Sequence, residues 1–371
     1  MFDLPAASVR WERVREMMDR LDLDVLLAVD LSRDEILLGT QRWLTGYIPM
    51  GGPAAALISR SGTVELVSER IGKDVSEHYQ ANGFPIELVA GYSERLLAER
   101  IARHGPKRIG VSEAAAVSFT IVEVVRNVLP AAHLVDVSNE MMKLRMRKTP
   151  QEIALIRKSS VIADDVWRHI PDLFRIGRSN RDIVADVDHL ARLQGAESGF
   201  QLVLKLPFHG RAMRSTANPE LIEAGARYLV EVSPRFEGYY SQLTIPVSTV
   251  PDDDSALRAY ADLLAAKEAA QPLMLPGAEL GAVAAFVRDF LQARGRSMSS
   301  LSLGHFCGMA LEEPRHDPSS ALVLEEGMTM IFHPVLADPE LHSLMRADTY
   351  LITQAGAERL TCYAGGMLAL A

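Results

Sequence analysis

The sequence predicts two domains, an α/β domain over residues 1–140 followed by an α+β domain over residues 141–371. Three observations predict it. At 371 residues the chain has room for two domains or slightly more, at about 150 residues each. Its first part alternates strand-like and helix-like stretches, as a mixed sheet flanked by helices does. Its second part carries long helices with strands placed between them out of strict β–α–β rhythm, which points to an antiparallel or mixed sheet.

Taken in order, Ser8 is a candidate cap for a first helix with apolar positions at Val14, Met17, Met18 and Leu21. Asp24 to Val29 is a short apolar run that reads as a buried strand. Ala54 to Ser59, a Ser61-Gly62 turn and Thr63 to Ser68 read as a hairpin. Ile86 to Ala90, a helix from Ser93 to His104, Arg108 to Val111 and Leu134 to Val137 continue the alternation. Asn139 to Lys148 is a charged linker helix. Thr149-Pro150-Gln151-Glu152 then presents a capping box with proline at the first helical position, a strong helix start. Helices follow over Asn180–Leu193, Ser255–Gln271 and Glu279–Arg294, the last stopping at Gly295. The strands among them are Tyr228–Val232, Tyr239–Val247, Met328–Phe332 and Thr349–Thr353.

Hydrophobic residues make up 48% and charged residues 23%, so the chain can bury a core and is not disordered. A net charge of −9 without a Lys/Arg run argues against nucleic-acid or anionic-membrane partners. The two cysteines, Cys307 and Cys362, make no disulfide framework or paired metal motif. No basic start precedes an apolar segment at the N-terminus, and no stretch has the length of a membrane span. A cytoplasmic setting is therefore expected.

Several motifs, spread over nearly the whole chain, resemble the pita-bread family of aminopeptidase P, prolidase, methionine aminopeptidase and creatinase. Trp43-Leu44-Thr45-Gly46-Tyr47 is similar to the family's "YLTG" region in the creatinase-type N-terminal domain. Leu144 to Arg157 resembles its linker, and Leu275-Pro276-Gly277-Ala278 its "KPG" turn. Gly304-His305 with Leu311-Glu312-Glu313-Pro314 resembles "GHGIGL-x-x-HE-P". Leu324-Glu325-Glu326-Gly327-Met328 resembles "L-E-x-G-M". The resemblance implies a creatinase-like α/β domain before a pita-bread α+β domain, and a homodimer.

It also implies five ligand positions for two divalent ions: two Asp, one His and two Glu. In this chain they fall on Glu231, Gln242, His305, His333 and Ala347, so only His305 keeps its type. Two divalent ions against one carboxylate would leave three positive charges uncompensated, a heavy cost in a partly buried site. A dinuclear centre is therefore not expected, and no metal or other cofactor is assigned. Glu231, His305 and His333 keep open a mononuclear site with two His and one carboxylate.

The family's cleft histidine falls on Arg214 if no gap is allowed, or on His209 with a longer loop. The preceding Pro207 favours His209 as general acid/base, leaving Arg214 to grip a carboxylate. The expected catalytic set is His209, Glu231, His305 and His333. Trp43, Arg214, Tyr240, Gln242, Glu312 and Glu313 are the expected substrate contacts. Trp43 reads either as reaching a partner's cleft or as domain packing. Cys307 reads as core filler, with a nucleophile as the alternative. The expected function is a metal-independent, creatinase-like hydrolase of a C–N bond in a small nitrogen-rich metabolite. The alternatives are a mononuclear-metal hydrolase or lyase, and a non-catalytic binding protein.

Overall fold

The computed structural model describes residues 3–30, 39–49, 51–207, 219–251, 253–299, 303–313, 321–338 and 342–370. The chain divides into two compact units, Met1–Arg145 and Met146–Ala371. The division falls within the helix Ser138–Met146, later than the boundary expected after residue 140.

The first unit opens with α1 (Leu4–Arg20) and β1 (Val25–Asp30), then α2 (Thr40–Thr45), β2 (Ala54–Ser59) and β3 (Val64–Ser68). It continues with α3 (Lys73–Ala81), β4 (Ile86–Ala90), α4 (Glu94–Ala102), β5 (Arg108–Val111), α5 (Phe119–Val128) and β6 (His133–Asp136), and α6 (Ser138–Met146) closes it. The strand order is β4-β3-β2-β1-β5-β6. β2 pairs antiparallel with both β1 and β3, as the hairpin predicts, while β4, β5 and β6 join in parallel. The first helix is not capped by Ser8. Asp3 accepts from the Ala6 amide at 2.8 Å and Pro5 sits in the first turn, so the helix begins a turn earlier.

The second unit begins with α7 (Pro150–Leu173) and α8 (Asn180–Leu193). Then come β7 (Gly199–Leu206), β8 (Arg227–Phe236), β9 (Tyr239–Tyr240) and β10 (Leu243–Ser248), followed by α9 (Asp254–Ala270) and α10 (Leu280–Gln292). The remaining strands are β11 (Ser297–Met298), β12 (Gly304–Phe306), β13 (Thr329–Phe332), β14 (Val335–Asp338), β15 (His342–Met345), β16 (Asp348–Thr353), β17 (Gly356–Arg359) and β18 (Leu368–Ala369). The sequence suggests one strand from Tyr239 to Val247, but Ser241 and Gln242 interrupt it. The Ser241 amide donates to the Pro234 carbonyl and the Gln242 amide to Thr349 Oγ1. Those donors are lost to the ladder, so the strand divides.

One sheet of this unit has the order β18-β10-β8-β7, and another the order β12-β13-β16-β17. An antiparallel bridge between Thr244 and Ala347, with an N–H···O bond of 3.1 Å each way, connects them. The core gathers Trp167 and Ile170 of α7, Val187 of α8, Leu263 of α9 and Val287 of α10 with Val230 and Ile245 of the sheet. Among the described residues no helix is long and apolar enough to cross a membrane.

The capping box at the head of α7 is formed. Thr149 Oγ1 accepts from the Glu152 amide at 3.3 Å, and Glu152 Oε2 accepts from the Thr149 amide at 2.7 Å. Thr149→Ala should lower stability by about 1 kcal/mol, read as a lower urea midpoint at unchanged m-value; an unchanged midpoint would show that the cap is idle.

Candidate active site

The five positions singled out by the resemblance come together on one face of the second unit. Glu231 on β8 lies opposite Thr244 on β10, and Thr244 opposite Ala347. His305 on β12 lies opposite Ile331 on β13, and Ile331 opposite Thr349 on β16. Residues opposed across a ladder share a face, as do those two apart along a strand. Gln242 therefore joins Thr244, and its Nε2 donates to Thr244 Oγ1 at 3.1 Å. His333 follows Ile331, and its ring meets that of His305 edge-on with 5.3 Å between centroids.

Each polar group on this face is oriented. Ser233 Oγ donates to Glu231 Oε1 at 3.0 Å. Burial of Glu231, which is 9% exposed, makes that bond worth keeping. His305 is buried, and its Nδ1 lies 3.1 Å from the Phe306 carbonyl. A carbonyl only accepts, so Nδ1 carries a proton, and in the neutral form of the ring the lone pair is at Nε2. That is the tautomer a general base needs.

The other expected site residues part company with these. Glu313 is corrected from a substrate contact to a buried structural ion. Its Oε2 is 2.8 Å from Lys148 Nζ, both side chains being about 1% exposed, and Lys148 also donates to the Met146 carbonyl. Trp43 is likewise corrected. It is 1% exposed within the first unit, where Arg10 lies over its ring and donates to its carbonyl, so it has no face to offer. Tyr240 is buried with the Arg235 guanidinium over its ring, and Tyr239 donates its hydroxyl to Glu152 Oε1. Neither tyrosine presents a ring to a ligand. Glu312 is partly exposed on the loop after β12. His209 and Arg214 lie outside the described residues.

Sequence reading passed over the residues that hold this face from behind. Lys267 of α9 is buried and bonded to Asp348, and Arg346 bonds the same carboxylate. Burial alone would raise the Asp348 pKa, but Lys267 and Arg346 outweigh it and hold the carboxyl at about 2. The available signal was a lysine in register with Tyr260 and Leu263 on the apolar face of its helix.

The chain belongs to metallopeptidase family M24, whose model matches residues 154–354, preceded by a match to the creatinase/prolidase N-terminal domain over residues 10–147. An uncharacterized peptidase of Bacillus subtilis, YqhT, is 25% identical over 95% of this chain and 98% of its own length. The Xaa-Pro dipeptidase of Pyrococcus horikoshii is 23% identical over 94% of this chain and 96% of its own. Among solved structures, the Xaa-Pro dipeptidase from Bacillus anthracis superposes with a TM-score of 0.82 at 22% identity, covering 98% of this chain and 100% of that one. These matches bear out the creatinase-type domain followed by the pita-bread domain.

They also overturn the expected function. Full-length relatives named as Xaa-Pro dipeptidases, in a family of metallopeptidases, do not support a metal-independent creatinase-like enzyme acting on a non-peptide metabolite. The two alternatives gain nothing from the comparisons. The mononuclear set also fails on geometry: among the described residues no three His, Cys, Asp or Glu are grouped so as to hold a metal ion.

The residues at the five positions do not fit a pair of divalent ions either. Ala347 is fully buried against Cys307 and Ile331, so an apolar cluster stands where a fifth ligand would be. Gln242 brings an amide that is already bonded to Thr244. The same cluster disposes of Cys307 as a nucleophile, since burial pushes its thiol up to about 12. Alkylation of the folded protein with iodoacetamide should label exposed Cys362 alone, with Cys307 reacting only after denaturation; rapid labelling of both would contradict the packing described.

Proposed function

We propose that this chain hydrolyses the amide bond of a short peptide at the face formed by Glu231, Gln242, His305 and His333. The observation that carries the reading is the edge-on pair of His305 and His333 on a peptidase-family fold, on the face whose adjoining sheet carries Glu231. The peptide class is suggested by relatives named as Xaa-Pro dipeptidases.

In this reading the Glu231 carboxylate pairs with the ammonium of the N-terminal residue, a charge-assisted contact. Gln242 Oε1 accepts from a second proton of that ammonium, its Nε2 being engaged with Thr244. His305 Nε2 takes a proton from the attacking water as the carbon–oxygen bond forms. A ring N–H of His333 donates to the developing oxyanion. As the carbon–nitrogen bond breaks, His305 returns the proton to the leaving nitrogen, so atoms and charge balance.

The test is release of free amino acids from a panel of Xaa-Pro and Xaa-Ala dipeptides. His305→Ala should reduce kcat at least about 100-fold. Glu231→Gln should act mainly on KM, because its contact is made in the ground state as well as in the transition state. Failure of the purified protein to cleave any member of the panel would overturn the peptidase reading. Elemental analysis after loading with Mn2+ or Co2+ and desalting addresses a two-ion centre separately. Two ions per chain would refute its exclusion.

A further inference from the structure

We propose that Lys267 is a positioning residue of this site, which sets the place of the His333 imidazole from behind the sheet; its kinetic part rests on the peptide-hydrolysis reading above. Lys267 projects from the inward face of α9, alongside Tyr260, Leu263 and Ala266. Its side chain is 3% exposed. An ammonium has three donors, and all three find acceptors at 2.7 Å: the Phe332 carbonyl, the Arg346 carbonyl and Asp348 Oδ2. The rings of Phe332 and Tyr350 flank the charge at 5.3 and 5.8 Å.

Where these acceptors lie gives Lys267 its role. Phe332 opposite Asp348 is the last rung of the β13–β16 ladder. Beyond it the pairing is interrupted at His333-Pro334, opposite Ala347 and Arg346, and resumes at Val335 opposite Met345. Lys267 bridges that interruption, holding the carbonyl next to His333 and the carbonyl next to Ala347 in one grip. On the opposite edge the His333 amide donates to the Leu303 carbonyl at 2.8 Å. His333 is thus located from both sides.

The third anchor is itself fixed. Arg346 Nε reaches both oxygens of Asp348 at 3.0 Å, while Nη1 and Nη2 donate to the Gly365 and Tyr363 carbonyls at 2.7 Å. A buried ammonium is costly in lost hydration unless every proton is satisfied. An apolar side chain would fill the same space on α9 without that cost. It would leave two carbonyls and a carboxylate oxygen without this donor at the point where the pairing is interrupted.

The experiment compares wild type with Lys267→Gln, using long-range 1H–15N spectra of the imidazoles and dipeptide kinetics. The His333 signal is assigned by its loss in His333→Gln. With the far-UV circular dichroism retained, the His333 signal should move and kcat should fall about tenfold or more while KM stays within about twofold. An unmoved His333 signal in folded Lys267→Gln overturns the proposal. Should that variant not fold, Lys267→Arg is read in the same way. Its longer planar fork keeps the charge but displaces the carbonyls, so a shifted His333 signal supports the proposal and an unshifted one overturns it. The spectra need no substrate. If no peptide is cleaved, the proposed function fails while the positioning role is still decided.

Discussion

Two backbone hydrogen bonds between Thr244 and Ala347 link the sheet that carries Glu231 to the sheet that carries His305 and His333. Everything on the candidate face depends on this bridge. It sets the register in which Glu231, Thr244 and Ala347 form one row, and it brings Gln242 within reach of Thr349. A slip of one residue would turn every second side chain to the opposite face. Thr349 reinforces the junction, since its hydroxyl accepts from the Gln242 amide and donates to the Gln242 carbonyl.

The charges of this unit are distributed in two layers. Behind the face, Lys267, Arg346 and Asp348 form a closed set in which each ion satisfies another or a carbonyl. Lys148 and Glu313 form a second buried pair. Buried pairs of this kind contribute more to a single geometry than to net stability, because desolvation offsets most of the attraction. At the face, polarity comes from imidazoles, an amide, hydroxyls and the Glu231 carboxylate. Cys307, Ile331 and Ala347 close one side with apolar packing. The result is a set of proton donors and acceptors with little charge to hold a pair of divalent ions.

How much of this was legible in the sequence differed by residue. The capping box at Thr149, the hairpin of β2 and β3, and the stop of α10 near Gly295 follow from local rules. Each depends on residues within a few positions of one another, and each appears in the structure. The rungs that assemble the site join residues far apart in the chain, and here motif resemblance supplied what local rules could not: it located Glu231, Gln242, His305, His333 and Ala347. The substrate contacts fared worse. Glu313 and Tyr240 looked available because a sequence does not show that Lys148 and Arg235 already engage them. Trp43 read equally as packing, and its burial selects that role. Lys267 escaped notice because a lysine in a helix reads by default as solvated, although its register on the apolar face marked it otherwise.

The sequence by itself determined the two-domain plan, the type of most long elements and the family, because these follow from periodicity, caps and motifs carried by neighbouring residues. It also determined that four of the five inherited ligand positions hold a different residue type. Only the tertiary structure decided what those substitutions amount to. Ala347 becomes part of an apolar cluster because Cys307 and Ile331 pack against it, and His305 meets His333 edge-on because β12 pairs with β13. Lys267 becomes part of the site because the pairing is interrupted at His333-Pro334 within reach of its ammonium. Burial and hydrogen-bond partners exist only once distant segments meet, and they turn the same residue type into core, ion pair or reactive group.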